Sequence, residues 1–475
     1  MTFHVLTVGW SLDVIRRLAD PIEAATGFTF SHILDPSVDR AGFANHTDRR
    51  VFFVRDDLRF PLPEADTALL AGLESPGVPT IHNMIMGDRL LRKLDYGQVL
   101  VYACYLARRF EELLLQIKPS VIIGGFDGLH SGMALAVARK VGIPWFAMTF
   151  TAIPLGLVGF CTGMSPDTAF SCLPAEPDAI RKLAEGTLSE FEARRLDVPA
   201  YLSANTIAMI LKRFPAHLRR FSQAIRPVLG THFDPFTQVR PRDLAREYIR
   251  KRLNLFRLSK QPFLRTPPAR PYLFFGLHMQ PESSIDVWSP FFADQFAVIE
   301  AIARSTPPDH ELLVKLHKSD ADNYSPRQLG HLRSLPGVRL VSPHAQSRDF
   351  IEKASLVLAI QGNIAMEAAM LGRPVLLFGD SKFAQMPSVS KVNRMTDLPA
   401  QIRGKLSEER PDREAIVRGL MSYLSSYAPG CSNDWQEMPS DAEIRALAEH
   451  FKALRDYVAE QRGRPVSFER VATAD

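Results

Sequence analysis

Short apolar runs alternate with stretches of helical periodicity along most of the chain. In its second half, apolar runs predict five buried strands, at residues 272–277, 311–317, 338–341, 356–360 and 374–378. The first half begins in a similar way, with predicted strands at residues 4–8 and 143–150 and a predicted helix at 12–25 that Pro21 kinks or splits. Alternation at this pitch predicts parallel, doubly wound α/β sheets with right-handed crossovers.

The chain is too long, at 475 residues, for one ordinary hydrophobic core, so several domains are expected. The predicted parts are an N-terminal Rossmann-like domain, a basic helical insert, a C-terminal Rossmann-like domain and a helical C-terminal segment, at residues 1–165, 166–270, 271–400 and 401–475. The two Rossmann-like domains are expected to face a cleft, with ligand sites at the carboxyl ends of their strands.

The insert is strongly basic. Residues 206–270 contain 15 Lys or Arg against three acidic residues, and the whole chain has a net charge of +5. Predicted helices at residues 206–214 and 242–258 carry part of this charge. The pattern fits either a solvated helical face packed on the core, or a docking face for an anionic membrane leaflet or a charged glycan acceptor. Nucleic-acid binding is not predicted, because no recognisable motif accompanies the charge.

The composition predicts a cytoplasmic protein. Hydrophobic residues make up 46% of the chain and charged residues 23%, as in soluble globular proteins. The four cysteines lie outside metal-binding spacing, which is typical of a reducing compartment. The first residues enter a strand without the basic start of a signal peptide. Residues 141–164 lack charge, but their glycines and prolines predict a strand and an apolar loop rather than a membrane span.

Polar side chains follow three predicted strands of the second block, where open α/β sheets bind ligands. His278, Gln280 and Glu282 follow the first of these strands. Lys315 and His317 end the second, and as alternate residues of a strand they are expected to share a face. Taken singly, these residues also fit simpler roles, such as an interior histidine for His317.

The third strand end reads Gln361-Gly362-Asn363 and leads into a helix that carries Glu367. Gly362 permits close backbone approach, and Asn363 stands at a helix N-terminus, where free amides and the helix dipole favour a phosphate. Glu367, one turn further, is placed to accept hydrogen bonds from ribose hydroxyls. The alternatives are a surface carboxylate for Glu367 and a simple N-cap for Asn363. Together the three polar ends predict a nucleotide mono- or diphosphate site.

A second candidate group lies in the first block. A buried strand from Val121 leads into a glycine-rich turn that carries Asp127 and His130. Asp127 is predicted at the carboxyl end of that strand, and this position supports a functional role. The alternative is that Asp127 only caps the following helix.

Four stretches of the second block resemble the bacterial capsule and surface-polysaccharide biosynthesis proteins. They are residues 272–284, 289–300, 313–317 and 362–379. Two positions depart from the pattern of that family, which usually has proline where Lys318 stands and serine or threonine where Asn363 stands. The departures leave open an altered donor or a loss of activity.

The resemblance implies a GT-B glycosyltransferase related to the transferases that use CMP-Kdo. Such an enzyme moves a sugar from a nucleotide-sugar, here CMP-Kdo or a related CMP- or UDP-sugar, to a growing surface polysaccharide or capsule glycan. The predicted substrate-binding residues are His278, Gln280, Ser284, Lys315, His317, Gly362, Asn363 and Glu367.

Catalysis is expected to use a carboxylate that activates the acceptor hydroxyl or attacks the sugar. Asp127 is the first candidate and Glu282 the second, while His130 is expected to orient a group or relay a proton. Lys315, the helix N-terminus at Asn363 and His317 are the groups expected to stabilise the leaving phosphate. No cluster with metal-ligand spacing appears, so neither a metal nor a cofactor besides the donor is expected.

Two other functions remain open at this level. A non-hydrolysing nucleotide-sugar epimerase would release an epimerised sugar nucleotide without any acceptor. A non-catalytic polysaccharide assembly protein would bind nucleotides at most. For the transferase, the expected partners are a nucleotide-sugar and a glycan or glycolipid acceptor, with peripheral contact to the inner membrane through the basic insert.

Overall fold

The chain folds into two compact units. The computed structural model describes residues 2–11, 14–34, 50–55, 58–59, 61–125, 128–196, 234–431 and 438–461. The first unit comprises Met1–Glu176 and Leu424–Asp475, and the second comprises Pro177–Tyr423. Each unit contains a sheet with a parallel core, so the predicted α/β class with two Rossmann-like domains is confirmed.

Strands and helices alternate along both units. The strands are β1 (His4–Trp10), β2 (Thr29–Leu34), β3 (Val51–Phe52), β4 (Val121–Gly124), β5 (Trp145–Phe150), β6 (Leu157–Cys161), β7 (Ala169–Phe170), β8 (Tyr272–Gly276), β9 (Glu311–Lys315), β10 (Val338–Val341), β11 (Leu356–Ala359), β12 (Val375–Leu377), β13 (Val389–Lys391) and β14 (Ala428–Pro429). The α-helices are α1 (Asp20–Thr26), α2 (Thr67–Ala71), α3 (Ile81–Gly87), α4 (Tyr96–Ile117), α5 (Gly128–Lys140), α6 (Pro177–Glu192), α7 (Pro241–Leu258), α8 (Ser283–Asp286), α9 (Gln295–Ser305), α10 (Pro326–Ser334), α11 (Ser347–Ile351), α12 (Asn363–Met370), α13 (Leu398–Ser407), α14 (Arg413–Leu424) and α15 (Asp441–Gln461).

The sheet of the first unit has a parallel core flanked by antiparallel strands. Strands β1 to β5 run parallel in the spatial order β3-β2-β1-β4-β5. Beyond β5 the sheet continues with antiparallel β6, which pairs with β7 and with β14. The parallel core therefore has the strand order of a Rossmann-like sheet.

Local sequence sets the limits of α4, the longest described helix of the first unit. The Asp95 side chain accepts a hydrogen bond from the Gln98 amide (3.1 Å) and so caps the N-terminus. Tyr102 and Phe110 lie on the buried face of the helix, where α4 packs on α5. The helix ends at Ile117, and its C-cap, Lys118, has a left-handed φ of 49°.

The sheet of the second unit is parallel throughout. Its spatial order is β10-β9-β8-β11-β12-β13. The chain therefore moves outward in one direction from β8 to β10 and in the other from β11 to β13, as in dinucleotide-binding sheets. The winding reverses between β8 and β11, and ligands of open α/β sheets bind beside the carboxyl ends of the strands at that place.

Strand β8 is buried on both faces, as expected for a central parallel strand. Leu273 and Phe275 point into one core layer, while Phe274 stacks on Phe350 with ring centroids 5.7 Å apart. The Tyr272 hydroxyl donates to the Phe350 carbonyl oxygen (2.7 Å). The polar residues that follow β8 therefore start from a strand fixed on both sides.

The predicted helix at residues 12–25 changes its hydrogen-bond pattern but stays helical. A π-helical turn, Ile15–Ala19, runs directly into α1, in which Pro21 is the second residue, and the junction residues Ala19 and Asp20 have right-handed helical backbone angles. The predicted split at Pro21 is therefore wrong, and a kink stays a prediction. Helix α7 confirms the predicted helix at 242–258, whereas the predicted helix at 206–214 lies outside the described residues.

The second sheet has one strand more than predicted. The prediction ends the sheet at residues 374–378, but β13 follows and pairs in parallel with β12, with Val389 opposite Val375. Strand β13 has three residues, of which Val389 is buried and Lys391 is exposed. A short edge strand of this composition has no apolar run, so the hydrophobic pattern does not reveal it.

The compact units divide the chain at other positions than the predicted domains. Helices α6 and α7, assigned by sequence to the insert at 166–270, belong to the second unit. The predicted segment at 401–475 is shared, because β14 and α15 belong to the first unit. There Phe451 of α15 packs against Phe30 of β2, with ring centroids 5.7 Å apart. Pairing between distant parts of the chain leaves no local pattern in the sequence.

The uncharged stretch at residues 141–164 forms the predicted strand, β5, and a loop, and then a second strand, β6, that was not predicted. The two strands are antiparallel neighbours with Thr149 opposite Gly159. Among the residues that the structure describes, no helix is both long and apolar enough to cross a membrane.

Candidate functional site

The carboxyl ends of β8 and β11 meet where the second sheet reverses its winding. His278 lies two residues beyond β8 and is buried, and its Nε2 atom is 2.5 Å from the carbonyl oxygen of Gln361, which follows β11. The Gln361 amide nitrogen lies 3.2 Å from the same Nε2 atom. Burial lowers the pKa of His278 below its usual value, so the imidazole is neutral at pH 7. His278 is therefore a neutral side chain that connects the segments after β8 and β11.

The N-terminus of α12 opens at the same place. Its N-cap, Gly362, has φ 90° and ψ 172°, a conformation that glycine adopts readily, and no side chain caps the helix. A Cβ atom on Gly362 would lie 3.1 Å from His278 Nε2, and one on Gly276 of β8 would lie 2.6 Å from Ile364 Cδ1. Asn363 is the first helical residue and not the N-cap. The first-turn amides and the helix dipole make this terminus suited to an anion.

The Gln280 side chain stabilises the loop after β8 through hydrogen bonds within that segment. Its side-chain nitrogen donates to Asp286 (2.8 Å) and to the carbonyl oxygen of Ala293 (3.1 Å), while its Oε1 atom accepts from Gln295 (3.2 Å). Gln295 in turn accepts a hydrogen bond from the His278 amide (2.8 Å). Substrate binding by Gln280 stays a prediction, and the contacts present support a role in fixing the loop that carries His278.

Glu282 and Ser284 lie at the start of α8. The Ser284 hydroxyl donates to the Glu282 carboxylate, and the Glu282 amide donates to Asp286 Oδ2 (3.2 Å). Ser284 is buried, whereas Glu282 is partly exposed. The structure thus places both residues in the loop at the carboxyl end of β8, and their roles in catalysis and substrate binding stay predictions.

Strand β9 places Lys315 next to the end of β8. Lys315 pairs with Gly276 in the register of the sheet, and its Nζ atom donates to the carbonyl oxygen of Pro343 (3.4 Å). Burial lowers the pKa of Lys315 to about 8, so the ammonium form predominates at pH 7. Lys315 is therefore a buried cation at the edge of the sheet that also carries His278.

His317 lies beyond β9, because the strand ends at Lys315 and so stops two residues before the predicted end. The expectation that the two side chains share a strand face therefore does not apply. The Nδ1 atom of His317 accepts a hydrogen bond from the Ser319 amide (3.3 Å). Burial, with smaller effects from His278 and Lys315, lowers the pKa of His317 to about 4. His317 is thus neutral at pH 7.

Helix α7 braces the turn after His317. The Asp320 amide donates to the His317 carbonyl oxygen (3.2 Å), and Asn254 of α7 donates to the carbonyl oxygen of Asp322 (3.0 Å). Lys318, which stands where the resembling family usually has proline, is exposed. The basic helix therefore supports the loop at the end of β9.

Glu367 of α12 lies within the electrostatic reach of two cations. Burial raises its pKa to about 7, while the charges of Arg348 and Lys315 act in the opposite direction. Arg348 is fixed by hydrogen bonds to the carbonyl oxygens of Phe191 (2.5 Å) and Glu192 (3.3 Å) at the end of α6. Glu367 is thus not an isolated surface carboxylate, and it changes charge near neutral pH.

Glu367→Gln is expected to stabilise the protein at pH 8 and to have little effect at pH 4. The folded state raises the pKa of Glu367 from 4.5 to about 7, so between these values it binds more protons than the unfolded state does. Stability of the wild type therefore falls as the pH rises through this window. The variant lacks this loss and should gain roughly 1–3 kcal/mol above pH 7, measured by urea unfolding across the pH range.

Glu414→Gln is the matched control for this prediction. Glu414 is exposed and pairs with Arg181, which lowers the pKa of its carboxyl group. Its loss should therefore weaken the protein slightly at pH 8 instead of stabilising it. An unchanged stability difference between wild type and Glu367→Gln from pH 4 to pH 8 would contradict the assignment of Glu367.

The candidate residues of the first unit are only partly described. Asp127 lies outside the described residues. His130 is on α5, and its Nε2 atom lies 2.7 Å from the hydroxyl of Tyr102. The backbone amide of the neighbouring Leu129 donates to Asp88 (3.1 Å), which ties the start of α5 to the preceding loop. Catalytic roles for Asp127 and His130 stay predictions.

Several residues that organise this site were not predicted. Gln361 supplies the carbonyl group that meets His278, and Gln295 and Asp286 hold Gln280. The sequence signal for Gln295 was present, because Asp294-Gln295 belongs to the stretch that carries the family resemblance. Arg348 gave no such signal, since it reaches Glu367 only through the packing of α11 beside α12.

No metal centre is evident in the described part of the chain. Within it, no group of three or more His, Cys, Asp or Glu side chains is placed to hold a metal ion. A divalent ion that bound donor phosphates would require several oxygen ligands in one place. Metal independence and the absence of a cofactor stay predictions.

Comparisons with known proteins find similarity in structure only. No protein-family model matches the chain, and no curated protein matches its sequence. The β-Kdo 2,7 transferase of Thermosulfurimonas dismutans KpsC aligns over 96% of this chain and 100% of its own, with 11% identity and a TM-score of 0.36. The β-Kdo 2,4 transferase of the same protein aligns over 93% and 97%, with 10% identity and a TM-score of 0.35.

A UDP-GlcNAc 2-epimerase also aligns with the chain. The enzyme from Methanocaldococcus jannaschii, solved in complex with UDP-GlcNAc and UDP, covers 89% of this chain and 98% of its own, with 12% identity and a TM-score of 0.29. Likeness at this level of identity and TM-score says nothing about the reaction of this chain. The strand orders of its own two sheets define its fold.

Proposed function

We propose that this chain is a glycosyltransferase of the GT-B type that binds a nucleotide-sugar at the carboxyl edge of its second sheet. The observation that carries the proposal is the gathering of His278, the uncapped N-terminus of α12 and the buried cation Lys315 around the reversal point of the sheet. Backbone amides at a helix end and a buried ammonium group are suited to the phosphate of a nucleotide.

The proposed reaction breaks the bond between the anomeric carbon of the donor sugar and a phosphate oxygen. The nucleotide leaves with additional negative charge, which Lys315 and the N-terminus of α12 would stabilise in a site where protein atoms exclude much of the water. Glu367 would accept hydrogen bonds from ribose hydroxyls one turn along α12. The acceptor hydroxyl attacks the anomeric carbon and gives its proton to a carboxylate.

The remaining assignments rest on the resemblance to capsule and surface-polysaccharide proteins. On that basis the donor is CMP-Kdo or a related CMP- or UDP-sugar, and the acceptor is a growing surface polysaccharide or capsule glycan. Asp127 is the first candidate for the carboxylate and Glu282 the second, with His130 orienting a group or relaying a proton. Ser284 and His317 complete the proposed donor contacts.

A donor screen tests the proposal. Purified full-length protein is incubated with CMP-, UDP- and GDP-sugars, with and without a surface-polysaccharide acceptor, and nucleotide release and sugar incorporation are measured. We expect acceptor-dependent release with one class of donor, and a loss of about 10²-fold or more in Asp127→Asn. Asp309→Asn is the control, since Asp309 is exposed in the loop before β9.

The other outcomes distinguish the alternative functions. An epimerised sugar nucleotide released without acceptor would identify an epimerase. Stabilisation by CMP, UDP or GDP in thermal unfolding, without turnover of any donor, would identify a non-catalytic binding protein. Neither binding nor turnover with any of the three nucleotide classes would remove the basis for a nucleotide-sugar site.

A further inference from the structure

Helix α7 presents an apolar face to solvent. The side chains of Tyr248, Ile249, Leu253 and Phe256 are 61%, 59%, 50% and 62% exposed. Their spacing places all four on one side of the helix. A single exposed apolar side chain is ordinary on a protein surface, but four on one side of one helix form a candidate interaction site.

The opposite side of α7 packs against the rest of the second unit. Leu258 and Asn254 are buried, and Asn254 donates to the Asp322 carbonyl oxygen (3.0 Å). Arg250 donates to the side-chain oxygen of Asn323 (3.3 Å). The packing of one side of α7 therefore holds its apolar face outward.

Cations are interleaved with this apolar face. Residues 241–260 contain seven Lys or Arg against two acidic residues. The Arg252 guanidinium lies 5.0 Å from the ring centroid of Tyr248, and the Lys260 ammonium lies 4.3 Å from that of Phe256. Apolar and basic groups thus form one continuous surface, as in helices that lie in the interface of an anionic membrane.

A basic pocket adjoins the end of α7. It is open to solvent, has a volume of about 510 Å³, and is lined by Arg257, Lys260 and Arg327, among others. Because Lys260 contacts both the pocket and Phe256, the pocket is continuous with the apolar face. The lining is mostly apolar surface to which three basic side chains contribute, a composition that suits a phospholipid.

We propose that the apolar face of α7 and the adjoining basic pocket form a docking surface for a membrane of anionic phospholipids. The apolar side chains would enter the boundary between headgroups and acyl chains, while the cations bind lipid phosphates. This surface goes beyond the proposed transfer chemistry, because it involves none of the donor-site residues.

Charge and polarity favour a membrane over other occupants. Residues 197–233, which precede α7, contain five Lys or Arg against one acidic residue, so their charge does not complement this surface. A soluble acidic glycan would neutralise the cations but would leave Ile249 and Leu253 in water. A lipid surface satisfies both the charge and the apolar side chains.

Vesicle co-sedimentation of the purified full-length protein tests this proposal. Vesicles of phosphatidylcholine alone are compared with vesicles that also contain phosphatidylglycerol. We expect the wild type to bind the mixed vesicles at least about tenfold more tightly, and added salt to weaken this binding. Ile249→Ser/Phe256→Ser should weaken it by about tenfold or more, and Arg257→Gln/Arg327→Gln by roughly three- to tenfold.

Leu115→Ser/Lys182→Gln is the matched control, since it removes one exposed apolar and one exposed basic side chain elsewhere and should bind as the wild type does. Equal binding to both vesicle types, or undiminished binding of the α7 variants, would overturn the proposal. Capture of the protein by an acidic polysaccharide but not by vesicles would overturn it too.

Only variants whose circular dichroism spectrum matches that of the wild type are compared. If Ile249→Ser/Phe256→Ser does not fold, Arg257→Gln/Arg327→Gln still tests the surface. The vesicle assay contains no sugar donor, so a negative result in it is distinct from a negative result in the transfer assay.

Discussion

Lys315→Met is expected to lower glycosyl transfer by about 10²- to 10³-fold while making the protein more stable. The activity falls because the variant removes a buried positive charge from the edge where the leaving phosphate is proposed to bind. Lys315 is 8% exposed, so water cannot replace its ammonium group without rearrangement. The effect should be visible in kcat more than in KM, since the charge on the leaving group is larger in the transition state.

The gain in stability has a separate cause. Burial lowers the pKa of Lys315 from its ordinary value of 10.5 to about 8, so the folded state disfavours the charged form of the side chain. Methionine has a similar length and no charge, and its presence removes this cost. Below pH 8 the variant should be more stable by roughly 1–3 kcal/mol. The difference should shrink as the pH rises from 8 to 10.5, because the unfolded wild type binds more protons in that window.

Lys405→Met separates this effect from a general effect of replacing a buried lysine. Lys405 is 5% exposed, lies on α13 of the same unit, and pairs with Glu408 (2.6 Å). We expect Lys405→Met to lose stability, because it breaks an ion pair, and to keep its transfer activity. Full activity in Lys315→Met, or an equal loss in both variants, would show that Lys315 does not act on the leaving group.

The hydrophobic pattern predicted most of the second sheet but not its order. Apolar runs identified β8 to β12, because the central strands β8, β9, β11 and β12 are largely buried on both faces and edge strand β10 exposes only Arg339. The reversal between β8 and β11 could not be predicted from periodicity, since it depends on which strands pair. Edge strand β13 was not predicted because it is short and has no apolar run. The pairing of β14 with β6 was not predicted because the two strands are distant in sequence.

The candidate site was predictable as far as polar residues follow buried strands. His278 and Gly362 were placed correctly at two strand ends, and the structure brings these ends together. The role of Gln280 within its own loop was not predictable. Its side chain donates to the Asp286 carboxylate and to the Ala293 carbonyl oxygen, and these contacts exist only once the loop is folded. A sequence shows which side chains stand at a strand end, but not which of them the loop itself uses.

Gly362→Ala is expected to abolish nucleotide binding, with a loss of at least about 10²-fold. Gly362 has φ 90° and ψ 172°, and an added Cβ atom would lie 3.1 Å from Nε2 of His278. Alanine must therefore either keep a strained backbone, at roughly 1–3 kcal/mol, or shift the start of α12 away from β8. We expect the shift, because the added Cβ atom would also press on His278, and the shift displaces the amides proposed to bind the phosphate. Calorimetric titration with the nucleotide that stabilises the wild type most, among CMP, UDP and GDP, measures the loss.

Gly337→Ala is the control that separates an effect on the nucleotide site from the general effect of backbone strain. Gly337 also has a positive φ, of 72°, but a Cβ atom there would meet nothing within 4 Å, and the residue lies in the exposed turn before β10. Both variants should lose stability by about 1–2 kcal/mol or more, since alanine is disfavoured at positive φ. Nucleotide affinity should fall only in Gly362→Ala. If affinity fell equally in the two variants, the loss would reflect weakened folding of the second unit, and if it fell in neither, the phosphate would not bind at the start of α12.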